Sequence, residues 1–131
     1  MKKLKQLLRE SIELYDYKPI VEEFVVFAND YLGIKEPCKV FLRTTREDIT
    51  TTAYYDTVNY EVHIYSLNRA LVDILRSIAH ELTHHKQNLN GELKDIAKDG
   101  SDGSDIENEA NSEAGVMIRK FGKIKPEIYT K

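Results

Sequence analysis

Apolar residues recur at helical spacing over residues 4 to 15 and again over 20 to 32, where "DYLG" closes the second run with Gly33 placed to cap it. The pattern then shortens. "CKVFLR" (38 to 43), "TTAYYD" (51 to 56) and "NYEVHIYS" (59 to 66) are brief, rich in β-branched and aromatic residues and partly alternating, which predicts three strands. Only Thr57 and Val58 separate the last two, so these are expected to pair as an antiparallel hairpin. From Asn68, a suitable N-cap, the residues Leu71, Ile74, Leu75, Ile78, Ala79 and Leu82 restore the helical period as far as Asn90 and Gly91. The stretch "KDGSDGSD" (98 to 105) has loop composition. Beyond it a helix is expected to start at Ser104, which forms a capping-box pattern with Glu107, and to run to Phe121, with Gly122 and Pro126 ending it. The expected fold class is α+β: two N-terminal helices, a small three-stranded and mostly antiparallel sheet, then two further helices.

Length and composition narrow the setting of these elements. A chain of 131 residues is the size of one domain, so residues 1–131 are read as a single unit with one core. With 41% hydrophobic and 31% charged residues it is neither disordered nor membrane-spanning by composition. The net charge of −3 provides no basic field for nucleic acid, and no basic aromatic groove is visible, so neither nucleic acid nor membrane is expected as a partner. In "MKKLKQLLRE" charged and polar residues interrupt the apolar ones, unlike a secretory signal. The lone Cys38 cannot form an internal disulfide and opens an apolar run, as a small core residue would. A cytoplasmic location is the expectation.

The chemistry concentrates in "SIAHELTHHKQNLNG", residues 77 to 91. His80 and His84, four apart on a helix, lie one turn apart on one face, and both imidazoles can reach a single metal ion. Glu81 is rotated by about 100° from His80, so it can stay off the metal and hold a water there as a general base. The bland alternative, two histidines satisfied by core or solvent, is disfavoured because this spacing with an intervening glutamate seldom arises by chance among four histidines. One zinc per chain is therefore expected.

A catalytic zinc site usually has three protein ligands and one open position. The extended metzincin pattern is excluded, because Gln87 and Asn90 stand where it needs glycine and histidine. His85 points about 100° away from His84, towards solvent or glutamates, and His63 sits on a strand, where a surface or cleft role is the commoner one. The acidic helix "SDIENEANSEAG" (104 to 115) is the better source. Asp105, Glu109 and Glu113 share one face, while Glu107 lies about 200° from Glu109 and already serves the cap, so Glu109 is the preferred ligand. Glu113 is left either to bond a ligating histidine or to take the place of Glu109 on the metal.

At these residues the chain resembles the gluzincin metallopeptidases. "HELTH" followed by "ENEANSEAG" at 107 to 115 is similar to the histidine helix and downstream glutamate of that group. The nearest likeness is to its small single-domain members: minigluzincins, the ImmA/IrrE type and small phage-encoded relatives. Glu109, Ala110, Asn111 and Ala114 match the ImmA/IrrE run, and Glu113 departs from it where an aromatic residue is usual. The resemblance implies a zincin-like fold over most of the chain and an edge strand beside the cleft, 51 to 56 or 59 to 65, that pairs with extended substrate. The activity then expected is hydrolysis of peptide or protein substrates by a zinc-activated water, with Glu81 as base and a tyrosine among Tyr54, Tyr55, Tyr60, Tyr65 and Tyr129 as a candidate oxyanion donor. The other reading is a zinc-binding module, structural or degenerate, that binds without catalysis; the retained Glu81 speaks against it.

Overall fold

The computed structural model describes residues 17–45, 52–93 and 105–130 in full and residues 2–16 as helical backbone. The predicted boundary between two N-terminal helices does not exist: α1 spans Lys2–Leu32 with Pro19 inside it. The fixed φ of proline suits a helix, although inside one its missing N–H forfeits the bond to the carbonyl four residues earlier and its ring crowds that carbonyl. Beyond that point Val21, Phe24, Ala28 and Leu32 form a buried stripe. The helix ends as Gly33 predicts, with φ 69 and two closing bonds, Gly33 N–H to Asp30 O (3.2 Å) and Ile34 N–H to Asn29 O (2.9 Å).

The strands are β1 (Lys39–Arg43), β2 (Ala53–Asp56) and β3 (Glu61–Tyr65), in the spatial order β1-β3-β2. The hairpin is present. Its turn covers residues 57–60 rather than two positions, and it is held by Asp56, whose carboxylate accepts from the Val58 and Asn59 N–H groups and from the Asn59 amide. Those bonds hold the exposed Asp56 carboxyl below the usual carboxylate range. The sheet is mixed rather than mostly antiparallel, because β3 inserts between its hairpin partner and β1, which it meets in parallel with Lys39 opposite Glu61 and Arg43 opposite Tyr65. Along β3, Val62 and Ile64 are buried against the helices, and the residues between them turn to the outer face.

The next helix, α2 (Leu71–Leu89), buries the predicted stripe of Leu71, Ile74, Leu75, Ile78, Ala79 and Leu82. Asn68 does not cap it. Ala70 occupies that position without a side-chain bond, and Asn68 instead adopts a left-handed conformation (φ 59) in the preceding turn. At the far end Gly91 (φ 74) closes α2, with Gly91 N–H to Asn88 O (3.1 Å) and Glu92 N–H to Gln87 O (2.8 Å). Helix α3 (Asp105–Ile124) packs along α2 through Ala110, Ala114, Met117, Ile118 and Phe121. Its predicted cap, Ser104, lies outside the described residues. Gly122 is not a stop. The helix runs through it to Ile124, and the Tyr129 ring of the following 3₁₀ turn (Pro126–Tyr129) occupies the space a side chain would need.

One core joins these elements. The Phe121 ring meets Phe24 edge-on at 5.1 Å and Phe27 at 5.4 Å, tying α3 to α1. Cys38 belongs to this core, and burial pushes its thiol up to about 11. The architecture is α+β with a small sheet, and among the described residues no helix is long and apolar enough to cross a membrane.

Candidate metal centre

Helix α2 presents His80 and His84 on successive turns, their rings 4.7 Å apart and nearly perpendicular, with the two Nε2 atoms 3.1 Å from each other. Helix α3 brings a carboxylate to the same point. It belongs to Glu107, whose oxygens lie 3.2 Å from His80 Nε2 and 2.9 Å from His84 Nε2. One ligand atom from each of the three falls within 4.8 Å of the others, a group of a size to hold one metal ion. Two borderline imidazoles and a hard carboxylate suit a transition-metal dication, and they do not by themselves select zinc.

The expected ligand Glu109 is placed elsewhere. Its carboxylate accepts a bond from Gln87 Nε2 at 2.8 Å. The physical reason is the packing of α3. The buried positions Ala110, Ala114 and Met117 define the face turned to α2, and one turn back from Ala110 that face reaches Glu107, while Glu109 is rotated about 100° off it. Glu113 is placed further along, where it hydrogen-bonds the Tyr31 phenol at the end of α1; burial foremost, and then this carboxylate, raise that phenol's pKa.

Glu109 nevertheless bears on the group through Gln87. The Gln87 amide donates to Glu109 Oε1 and to the Ile106 carbonyl (3.1 Å), which fixes its orientation and turns its own oxygen to His84 Nδ1 at 2.7 Å. A carboxamide oxygen only accepts, so Nδ1 carries the proton and Nε2 presents its lone pair to the group. Asn111 makes a side-chain hydrogen bond to His80. Neither role is visible in the sequence pattern, since each arises only when α3 lies against α2. Burial, and then the neighbouring His84, lower the pKa of His80, against the opposing pull of Glu107 and Asn111.

Glu81 lies beside the group and not in it. Only 7% of its surface is exposed, and burial pushes its carboxyl up to about 7; the Glu107 charge adds to the rise and His84 opposes it. Glu81 lines two clefts, one on each side, and both are walled by Ala53 of β2. On the His84 side the cleft holds about 260 Å³ among Tyr54, Tyr55, Leu93 and Ile106, and on the His80 side about 420 Å³.

The remaining histidines serve the scaffold. His85, expected in solvent or against glutamate side chains, is fully buried. Its Nε2 donates to the Glu36 carbonyl (2.6 Å), so its Nδ1 accepts from the Tyr55 hydroxyl (2.5 Å), and it ties α2 to β2 and to the segment before β1. Burial pushes the Tyr55 phenol up to about 12, so it keeps the proton it donates. His63 stacks between Phe41 (4.9 Å) and Tyr54 (4.7 Å) on the outer face of the sheet, with Nε2 3.1 Å from Glu61, away from the group. Of the five tyrosines considered as oxyanion donors, Tyr54 and Tyr55 border the cleft that Glu81 lines on the His84 side.

Compared with protein-family models, with curated proteins and with solved structures, this chain matches none.

Proposed function

We propose that the protein is a zinc-dependent peptidase, in which His80, His84 and Glu107 hold one zinc ion and Glu81 is the general base. The observation that carries this reading is the convergence of two imidazole nitrogens and a carboxylate beside a buried glutamate that is not among them. A closed structural site would spend a fourth protein ligand and has no use for such a base. When bound, zinc would acidify a water and polarise the scissile carbonyl. Glu81, whose carboxyl pKa burial raises in the metal-free protein, would take the proton of the attacking water and pass it to the leaving amine. The likeness of "HELTH" and "ENEANSEAG" to gluzincins points the same way, with Glu107 in place of Glu109 as third ligand.

Of the two strands considered for substrate pairing, β3 is central and already paired on both sides, which leaves β2. Tyr65 N–H donates to Thr52 O (2.9 Å), so the pairs that exchange bonds with β3 are 52/65, 54/63 and 56/61. Ala53 and Tyr55 therefore turn their N–H and C=O groups to the outer edge, beside which no strand lies among the described residues. An extended peptide added there would run along both clefts, past Glu81. A cytoplasmic setting accords with the lone buried thiol.

The test compares the protein with its Glu81→Gln variant, both loaded with zinc, on a peptide library with a chelator control. The expected result is one zinc per chain in each and at least ~100-fold slower cleavage by the variant. Stoichiometric zinc with no chelator-sensitive cleavage would assign the chain to the non-catalytic zinc-binding class instead.

A further inference from the structure

The two clefts flanking Glu81 differ in chemistry. The one on the His84 side is walled largely by aromatic and aliphatic side chains, whereas among the described residues the one on the His80 side carries Arg69 and Arg76 and, besides Glu81, a single carboxylate, that of Asp73. Arg69 is held in place: Nη1 donates to the Tyr65 carbonyl (2.8 Å), and Nη2 to the Asp73 carbonyl (3.2 Å) and to Ser77 Oγ (2.8 Å). These three bonds fix the direction of the planar fork. Arg76 Nη1 stands 3.7 Å from Asp73 Oδ1 in a pair open to solvent on both sides, a weak contact that a better-placed anion can displace. Arg76 precedes His80 by one helical turn, about 6 Å along α2. An extended peptide advances about 3.3 Å per residue, so an anion held there belongs about two residues from the bond beside Glu81.

We propose that this cleft binds a carboxylate of the substrate through Arg69 and Arg76, which makes acidic peptides the substrate class. The assignment rests on the peptidase reading. Two sources share this chemistry, an aspartate or glutamate side chain near the scissile bond and the free carboxylate of a chain terminus.

Binding is measured by fluorescence anisotropy on zinc-loaded Glu81→Gln protein, which retains peptides without turning them over. Short neutral peptides with amidated C-termini carry glutamate, or its isostere glutamine, two positions to either side of the centre. A further neutral peptide keeps its terminal carboxylate. A glutamate peptide is expected to bind about tenfold more tightly than its glutamine counterpart, the scale of one charge-assisted bond. Arg76→Gln should abolish most of that preference, and Arg69→Lys, which keeps the charge but loses the fork, should reduce it. Far-UV circular dichroism and zinc content establish that each variant is folded. Selectivity for the free terminus in place of the side chain assigns the same cleft to a chain end. Equal affinity for all the peptides overturns the proposal, and so does a preference that survives both arginine substitutions. Cleavage of the same peptides by the unsubstituted protein, with and without chelator, separates the two claims. Discrimination without metal-dependent cleavage keeps the carboxylate site and ends the peptidase reading, while cleavage without discrimination does the reverse.

Discussion

A single rotation about a helix axis decides which acid joins His80 and His84 in the candidate metal group. Glu107 and Glu109 are two residues apart, but only Glu107 continues the face on which Ala110 and Ala114 pack against α2. Glu107→Gln is therefore expected to weaken metal binding by at least ~100-fold, whereas Glu109→Gln or Gln87→Ala, which disturb only the orientation of His84, should cost about 10- to 100-fold at most. Chelator competition ranks the three, and a greater loss in Glu109→Gln than in Glu107→Gln would return the ligand role to Glu109. Glu81 makes a second prediction through its proton. An acid whose folded pKa is raised to about 7 binds its proton more tightly folded than unfolded, so it leaves the metal-free protein unaffected below its ordinary pKa and destabilises it increasingly as pH rises from there to about 7. Glu81→Gln should thus stabilise the metal-free protein above neutrality by about 3 kcal/mol, at about 1.4 kcal/mol for each pH unit separating the folded and unfolded pKa values, and make little difference at pH ~4. Urea unfolding at the two pH values measures it, and a gain of equal size at both would trace the effect to packing instead of ionisation.

At the scale of the elements, periodicity locates helices and strands, while the glycines at their ends divide into two kinds. Gly33 and Gly91 are C-terminal caps with positive φ, as expected. Gly122 fits the same rule by sequence, yet it lies inside α3 because a Cβ there would come 2.5 Å from the Tyr129 hydroxyl and 2.6 Å from a ring carbon. The role of that glycine is space. Gly122→Ala should accordingly destabilise the protein by about 1–3 kcal/mol, the range for overpacking. In a Tyr129→Ala background the sign should reverse, since alanine is the better helix former by about 1 kcal/mol once the ring is gone. A loss of the same size in both backgrounds would contradict this account. The break expected between residues 15 and 20 illustrates the converse: the apolar runs on either side read as two helices, yet they lie on one continuous α1 that holds Pro19 within it and buries the stripe of Val21, Phe24, Ala28 and Leu32.

For the molecule as a whole, the candidate metal group joins α2 to α3, so an ion bound there should be felt as global stability. A ligand present at about 100 times its Kd adds about 2.7 kcal/mol, which for a chain of this length amounts to about 10 °C in Tm. Calorimetry of the metal-free protein with and without zinc should show that rise, and the His80→Ala and His84→Ala variants should show almost none. An equal rise in those variants would locate the bound ion elsewhere. The same linkage predicts that Glu107→Gln loses nearly all of the zinc-dependent rise while Glu109→Gln keeps a part of it, at most about half.

What the sequence by itself determined are the features carried by neighbours along one chain. These are the α+β class, the helical face shared by His80 and His84, the position of Glu81 beside them, the hairpin of β2 and β3, and the core placement of Cys38. Each follows from a period of 3.6 or 2 or from local turn chemistry, and none needs a distant partner. Tertiary structure decided the rest. The parallel pairing of β1 with β3, the burial of His85 between Tyr55 and the Glu36 carbonyl, and the choice of Glu107 all depend on how one element is rotated and placed against another. A trace of the last choice was present in the sequence: extending the apolar stripe of Ala110, Ala114 and Met117 back by one turn arrives at Glu107. A capping pattern and a shared acidic face, both local signals, pointed instead to Glu109, because they describe a helix alone, whereas the carboxylate that meets His80 and His84 is selected by the helix that packs against it.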